Sequence, residues 1–204
     1  MLIIFEGGEG GGKTTQIVRL RERLTDAGYD VIVLREPGGT QISEQIREVV
    51  LSTKNIGMAF TTEVLLYQAA RAQIYREIVL PSLEAGKVVL MDRSRDSSVV
   101  YQGYVRGFEI KLIEQLNDIS TKNTKADLTV LLDVSVKTGL GRRDSSGKMD
   151  RLDMESKEFH EKVRVAYLDL VKKDPKRWRV IDAEKSLEEV ETEIWQKVSE
   201  WLGK

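Results

Sequence analysis

Leu2-Ile3-Ile4-Phe5, followed by Gly7-Gly8-Glu9-Gly10-Gly11-Gly12-Lys13-Thr14, decides the fold. An unbroken apolar run makes a buried strand. The segment after it satisfies G-x-x-x-x-G-K-[ST], and a helical pattern opens at residue 14. A strand, a glycine-rich turn and a helix in that order are the setting in which this motif holds a nucleotide. The glycines let the backbone wrap around a phosphate with its N–H groups pointing inward, and the helix adds its positive N-terminal end. Lys13 supplies a point charge to the β- and γ-phosphates, and the Thr14 hydroxyl can ligate Mg²⁺. Residues Gly7 to Thr14 are thus the expected ATP site.

Working outward, the same alternation continues. Short apolar runs at Val31–Leu34, Val88–Met91, Leu128–Leu132 and Trp178–Ile181 are separated by longer segments of helical period. Continuous apolarity predicts strands buried on both faces. The expected fold is therefore α/β, a three-layer P-loop NTPase fold with a five-stranded parallel sheet flanked by helices. Helices are predicted over 14–27, ending at Gly28, and over 41–52, 155–172 and 186–202. A long helix is predicted over 61–85, bent or stopped by Pro81. Residues 139–153, GLGRRDSSGKMDRLD, are polar, basic and glycine-containing, and read as a mobile loop.

Composition narrows the chemistry. The chain has 204 residues, 32 Lys+Arg against 33 Asp+Glu, one His and no Cys. A chain of this length buries roughly 70% of the surface exposed when unfolded, which suffices for one domain over 1–204. Without cysteine there is no disulfide scaffold, iron–sulfur cluster or thiol catalysis, and one His leaves little room for His-based metal or triad chemistry. No apolar run reaches the roughly 18–20 residues of a membrane span. The opening MLIIFEGGEG lacks the basic region and long apolar stretch of a signal peptide, so the expected address is cytoplasmic, with no membrane partner. A formal charge of −1 argues against nucleic acid as partner, and any anion must be met locally.

A P-loop alone does not choose between GTPase, motor and kinase. The nearest matches to the GTPase signatures, Asp144-Ser145-Ser146-Gly147 and Asn123-Thr124-Lys125-Ala126-Asp127, are in reversed order and imperfect, and the length disfavours a large translocating ATPase. A small phosphotransferase leads. The strand at 88–91 runs into Asp92-Arg93: if it neighbours the P-loop strand, Asp92 can orient Mg²⁺ and Arg93 can clamp a phosphate. Arg35 ends the second strand before Glu36-Pro37-Gly38-Gly39-Thr40. Tyr67 and Arg71, at i and i+4 on one predicted helix, can hold a nucleobase by stacking and hydrogen bonding.

With these residues in view, the chain closely resembles the thymidylate (dTMP) kinases of the P-loop nucleoside monophosphate kinase superfamily, essentially end to end. The resemblance is carried by FEGGEGGGKTTQ at 5–16, REPGGT at 35–40, TEVLLYQAAR at 62–71, DRSRDSSVVYQG at 92–103, ADLTVLLDV at 126–134 and DRLD at 150–153. It implies a homodimeric enzyme converting ATP and dTMP to ADP and dTDP with Mg²⁺ held through Thr14 and Asp92. A monophosphate-binding region is expected at about 35–105 and a lid at about 139–153. It further implies that Arg71 hydrogen-bonds the thymine, Tyr67 stacks on it, Ser97, Ser98 and Gln102 line the base pocket and Tyr101 lies against the deoxyribose. Glu9 would reach toward the 3′-hydroxyl, and Arg35, Arg47 and Arg93 would surround the dTMP phosphate. Where one branch of the family carries an Arg beside the acidic P-loop residue, this chain has Gly10. The catalytic cation is then expected from the lid, with Arg142, Arg143, Lys148 and Arg151 as candidates. Tyr67 in place of the usual Phe, and Ser94 and Arg95 after Asp-Arg, depart from the family pattern and bear on substrate breadth.

The acceptor oxygen of a monophosphate is already anionic, so the reaction needs positioning and charge neutralisation rather than a general base, and Lys13, Arg93 and a lid cation suit that task. The competing enzymes are a broader nucleoside monophosphate kinase and a deoxynucleoside kinase, the latter using Glu36 as base. A nucleotide-binding module without transfer activity is the alternative outside enzymes.

Overall fold

In the computed structural model of the chain, which describes residues 1–144 and 150–203, the apolar runs become β1 (Leu2–Glu6), β2 (Val31–Arg35), β3 (Val88–Asp92), β4 (Leu128–Asp133) and β5 (Trp178–Asp182). All pair in parallel, in the order β2-β3-β1-β4-β5. The P-loop strand is central and β3 is its neighbour, with Phe5 beside Asp92. That is the adjacency the sequence reading made conditional for Asp92.

Helices cover both faces: α1 (Lys13–Asp26), α2 (Gln41–Leu51), α3 (Phe60–Ile74), α4 (Leu80–Glu84), α5 (Arg95–Ser98), α6 (Ile110–Thr121), α7 (Val136–Asp144), α8 (Lys157–Lys173) and α9 (Leu187–Leu202). The period-two alternation of strands sorts the core. Ile3, Phe5, Leu90 and Val130 pack with Ile17, Leu20, Ile194 and Val198 of α1 and α9. Leu2, Ile4, Val89 and Met91 point the other way, onto Ile74, Tyr75 and Val79. On that side Leu131 meets Phe159, Val163 and Tyr167 of α8. Ser186 and Glu189 close a reciprocal capping box at the start of α9.

Two expectations need correction. The helix over 61–85 is continuous in direction but not in type, because a π-helical turn at Tyr75–Val79 separates α3 from α4. Pro81 has no N–H to donate and its ring crowds the carbonyl four residues earlier, and the widened turn just before it accommodates both. The expected loop at 139–153 is partly regular: residues 139–144 complete α7. Gly139 marks close packing rather than a loop, since a Cβ on it would collide with the backbone oxygen of Glu9, and one on Gly10 with the backbone of Gly139. The P-loop and α7 therefore touch through bare backbone. The helical segments at 95–105 and 110–121 have no counterpart in the sequence reading.

Candidate active site

The carboxyl ends of β1, β2 and β3 open into a cleft of about 650 Å³, where the connections of an open parallel sheet leave room for ligands. At one end is the P-loop. Lys13 Nζ donates to the carbonyls of Gly7 at 3.1 Å and Gly8 at 2.8 Å. Burial pushes its pKa down, reinforced by Arg93, against the pull of Glu9, Asp92 and Glu6. Thr14 Oγ1 donates to Asp92 Oδ2 at 2.9 Å, so the two expected metal-binding groups stand together.

Arg93 is central. Its Nη2 donates to Glu9 Oε1 at 2.6 Å, its guanidinium lies 5.1 Å from the centre of the Tyr101 ring, and Nη1 reaches the Tyr167 hydroxyl at 3.3 Å. Tyr101 also donates to Glu9, at 3.1 Å. Burial acts to raise the Glu9 pKa, but the Arg93 and Lys13 charges outweigh it and hold the group at about 2. Glu9 is therefore a firm anion facing a cationic cleft. Arg93 has a left-handed backbone (φ 66°), a conformation that costs a non-glycine residue roughly 1 kcal/mol. The turn is pinned by Arg93 N donating to Phe5 O at 2.9 Å and Ser94 N donating to Glu6 Oε1 at 3.0 Å.

Arg35 and Arg47 line the same cleft. Arg35 is paired bidentately with Glu44 at 2.9 and 3.0 Å, and Arg47 donates to the Pro37 carbonyl at 2.8 Å. Burial lowers the Arg47 pKa, and Arg35 nearby adds to the effect. At the far end are Tyr67, Arg71, Ser97, Ser98, Tyr101 and Gln102. Arg71 is only 1% exposed. It donates to Glu36 at 2.8 Å, Ser98 at 3.0 Å, Asn117 at 2.7 Å and the Ser94 carbonyl at 3.0 Å. A guanidinium has five N–H bonds, so one on Nη2 remains for a ligand. Glu36 is thus the counter-ion of Arg71, not a group waiting to take a proton.

The four lid candidates separate. Arg142 and Arg143 line the cleft. Arg142 donates to the Ala183 carbonyl at 2.9 Å, and Arg143 is held by Asp153 at 2.7–3.0 Å. Arg151 is directed elsewhere: it is buried, with Nη2 on Glu63 at 2.5 Å and Nε on the Val50 carbonyl at 3.0 Å. Lys148 lies outside the described residues.

Several residues that shape this site carry no role in the sequence reading. Glu6 accepts from the backbone N–H groups of Ser94 and Ser97 and from the hydroxyls of Ser97 and Tyr167. Burial, with Asp96 adding, raises its pKa to about 7. Asn117 and Asp153 orient Arg71 and Arg143. Glu63 had an available signal, for it stands one turn before Tyr67 and two before Arg71 on α3, on the same helix stripe.

The sequence profile of the thymidylate kinase family matches residues 5–194. Among curated relatives described as thymidylate kinase, that of Thermoanaerobacter sp. (strain X514) is 44% identical over 200 residues, covering 98% of each chain. That of Geotalea uraniireducens (strain Rf4) is 48% identical over 198 residues, covering 94% of this chain and 93% of the relative. The crystal structure of thymidylate kinase from Ehrlichia chaffeensis superposes with a TM-score of 0.80 at 34% identity, over 98% of both chains. With a P-loop, a basic cleft and an aromatic–guanidinium pocket on one sheet edge, and with relatives that match from end to end, the chain belongs to the thymidylate kinase family.

Proposed function

We propose that the cleft aligns ATP and dTMP so that the γ-phosphoryl group of ATP passes to the dTMP phosphate, giving ADP and dTDP for dTTP biosynthesis. The observation that carries this is the convergence of Lys13, Arg35, Arg47, Arg93, Arg142 and Arg143 on one cleft that ends in Tyr67 and Arg71. Two polyanions need such a cluster to meet, and a planar base needs such an end. On this reading 1–204 is one domain, with a P-loop at 7–14, a monophosphate-binding region at about 35–105 and a lid at about 139–153. A deoxynucleoside kinase is not favoured, because the full-length relatives are thymidylate kinases and Glu36 is committed to Arg71.

The backbone N–H groups of the P-loop cradle the ATP phosphates, and Lys13 turns from the Gly7 and Gly8 carbonyls to the β- and γ-phosphates. The Thr14 hydroxyl and Asp92 carboxylate are the hard oxygen donors Mg²⁺ prefers. Among the described residues no three His, Cys, Asp or Glu side chains cluster as a metal cage, which suits an ion that keeps waters and phosphate oxygens as its other ligands. Bound there, Mg²⁺ would neutralise charge on the β- and γ-phosphates. Arg93, Arg35 and Arg47 hold the dTMP phosphate, and Glu9 points toward the 3′-hydroxyl. Tyr101 lies along the deoxyribose and Tyr67 on the base, whose polar edge meets Arg71, Ser97, Ser98 and Gln102. Lid closure brings a cation to the transferring group and excludes water.

We further read the enzyme as a cytoplasmic homodimer. Exposed Ile42 and Val49 on α2, Leu65 on α3 and Ile119 on α6 support a shared apolar face, since α2 packs on α3 and α3 on α6. Among the described residues no helix is long and apolar enough to cross a membrane.

Purified protein with ATP, Mg²⁺ and a panel of nucleoside monophosphates is expected to turn over dTMP fastest; turnover of dCMP, dGMP or AMP in its place would sink the reading. For the lid, Arg142→Ala or Arg143→Ala is expected to lower kcat at least about tenfold with a smaller change in KM for dTMP. If neither these two nor Lys148→Ala does so, the cation does not come from the lid.

A further inference from the structure

Glu63 takes no part in the chemistry above, yet it is 0% exposed and surrounded by donors. Arg151 Nη2 lies 2.5 Å from Oε2, Arg106 Nε and Nη2 lie at 3.4 and 3.5 Å, and Gln102 Nε2 donates to Oε1 at 2.9 Å. A carboxylate facing two guanidiniums is an anion, and an anion accepts only. An amide has two unlike ends, an NH₂ that donates and a carbonyl that accepts. Glu63 therefore dictates which end of Gln102 turns inward. The NH₂ must face Glu63, which leaves Oε1 as the free end of a side chain that lines the cleft. No described group donates to Oε1.

A fixed acceptor in the base pocket discriminates. Thymine carries a hydrogen on N3 and can donate to it; the N3 of cytosine is itself an acceptor, and two facing acceptors both stay unpaired. A site built around a hydrogen bond rejects an analogue that cannot complete it far more strongly than an apolar pocket rejects a change of shape. We propose that Glu63 is a specificity-determining positioning residue: it holds the Gln102 amide with its carbonyl toward the base and so selects bases with an N3–H over cytosine. The proposal rests on the reading of the cleft as the dTMP site.

The same carboxylate anchors the stem of the lid through Arg151, whose backbone N–H also donates to the Leu51 carbonyl at 3.1 Å. Altering Glu63 therefore loosens the lid as well as the amide. A lid effect falls on every monophosphate alike and cancels in a ratio between bases, whereas the amide effect does not.

The test is the ratio of dissociation constants for dCMP and dTMP in wild type, Glu63→Gln and Glu63→Asp. Both variants are expected to lower the preference for dTMP at least about tenfold, because the amide is free to turn in each. Glu63→Asp retains a charge opposite Arg106 and Arg151, and it decides the matter if Glu63→Gln fails to fold. A folded variant whose ratio stays within about twofold of wild type overturns the proposal. A crystal structure of the wild-type protein with dTMP gives an answer independent of either variant: Gln102 Nε2 on Glu63 and Oε1 on N3 is expected, and an amide turned away from N3 overturns it. Wild-type protein that does not bind dTMP would instead sink the functional reading, whereas tight dTMP binding with an unchanged ratio removes only the role of Glu63.

Discussion

Arg93→Met is expected to lower kcat for dTMP by about 10³ while changing KM for ATP only a few fold, in line with the loss of one charge aimed at the transferring phosphoryl. The side chain has no substitute in place. Arg35 and Arg47 are engaged with the dTMP phosphate on this reading and Arg71 is paired with Glu36, so none of the three is spare to take over its charge. The loss is compounded by what remains, because Glu9 would keep its carboxylate in the cleft without its 2.6 Å partner, beside an incoming polyanion. The backbone adds a complication, since residue 93 sits at φ 66° and any side chain there bears strain. Arg93→Gly separates the two effects. Glycine relieves about 1 kcal/mol of conformational cost, so this variant should melt no lower than Arg93→Met yet be equally slow. Steady-state kinetics with both variants, each checked by thermal melting, reads the result. A kcat within tenfold of wild type in either would show that Arg93 does not act on the reacting phosphates.

The parts of this architecture that follow from local pattern are legible in the sequence. The strand from Leu2 and the glycine-rich turn to Thr14 are set by neighbours in the chain, and β1, β3 and β4 are buried as their apolar runs predict, whereas β2 and β5, at the sheet edges, leave Val33 and Val180 exposed, against the expectation of five buried strands. Tyr67 and Arg71 share a helix face by spacing alone. What spacing cannot show is which distant partner a side chain finds. Arg151 reads as a lid cation because its surroundings are basic and polar, but its partner Glu63 lies 88 residues away and turns it into an anchor. Tyr167 carries no role in the sequence reading, and only the fold brings its hydroxyl to Glu6, 161 residues distant. Gly139 misleads in the opposite direction, because a glycine packed against another backbone has the same local signature as a glycine in a loop.

Glu36→Leu is expected to destabilise the protein by about 3–5 kcal/mol, the usual consequence of removing one partner from a buried ion pair. Both side chains are enclosed, Arg71 at 1% and Glu36 at 4% exposure. Without the carboxylate, the guanidinium keeps only the neutral oxygens of Ser98, Asn117 and Ser94. Glu36 is itself strained by its setting: burial raises its pKa, and the Arg71 charge and the Ser94 hydroxyl hold it back. In a chain of this length the loss corresponds to a fall in Tm of roughly 6–20 °C, readable by calorimetry or urea unfolding. The double variant Glu36→Leu/Arg71→Leu should recover part of that stability, because two apolar side chains need no charge compensation. It should not recover dTMP binding, because the remaining Nη2 N–H of Arg71 is gone with the side chain. Stability restored while binding stays lost would show that the pair is kept for reading the base and not for holding the fold. A double variant no more stable than Glu36→Leu would mean that the oxygens gathered around Arg71 require a donor whether or not substrate is bound, and that the pair is structural first.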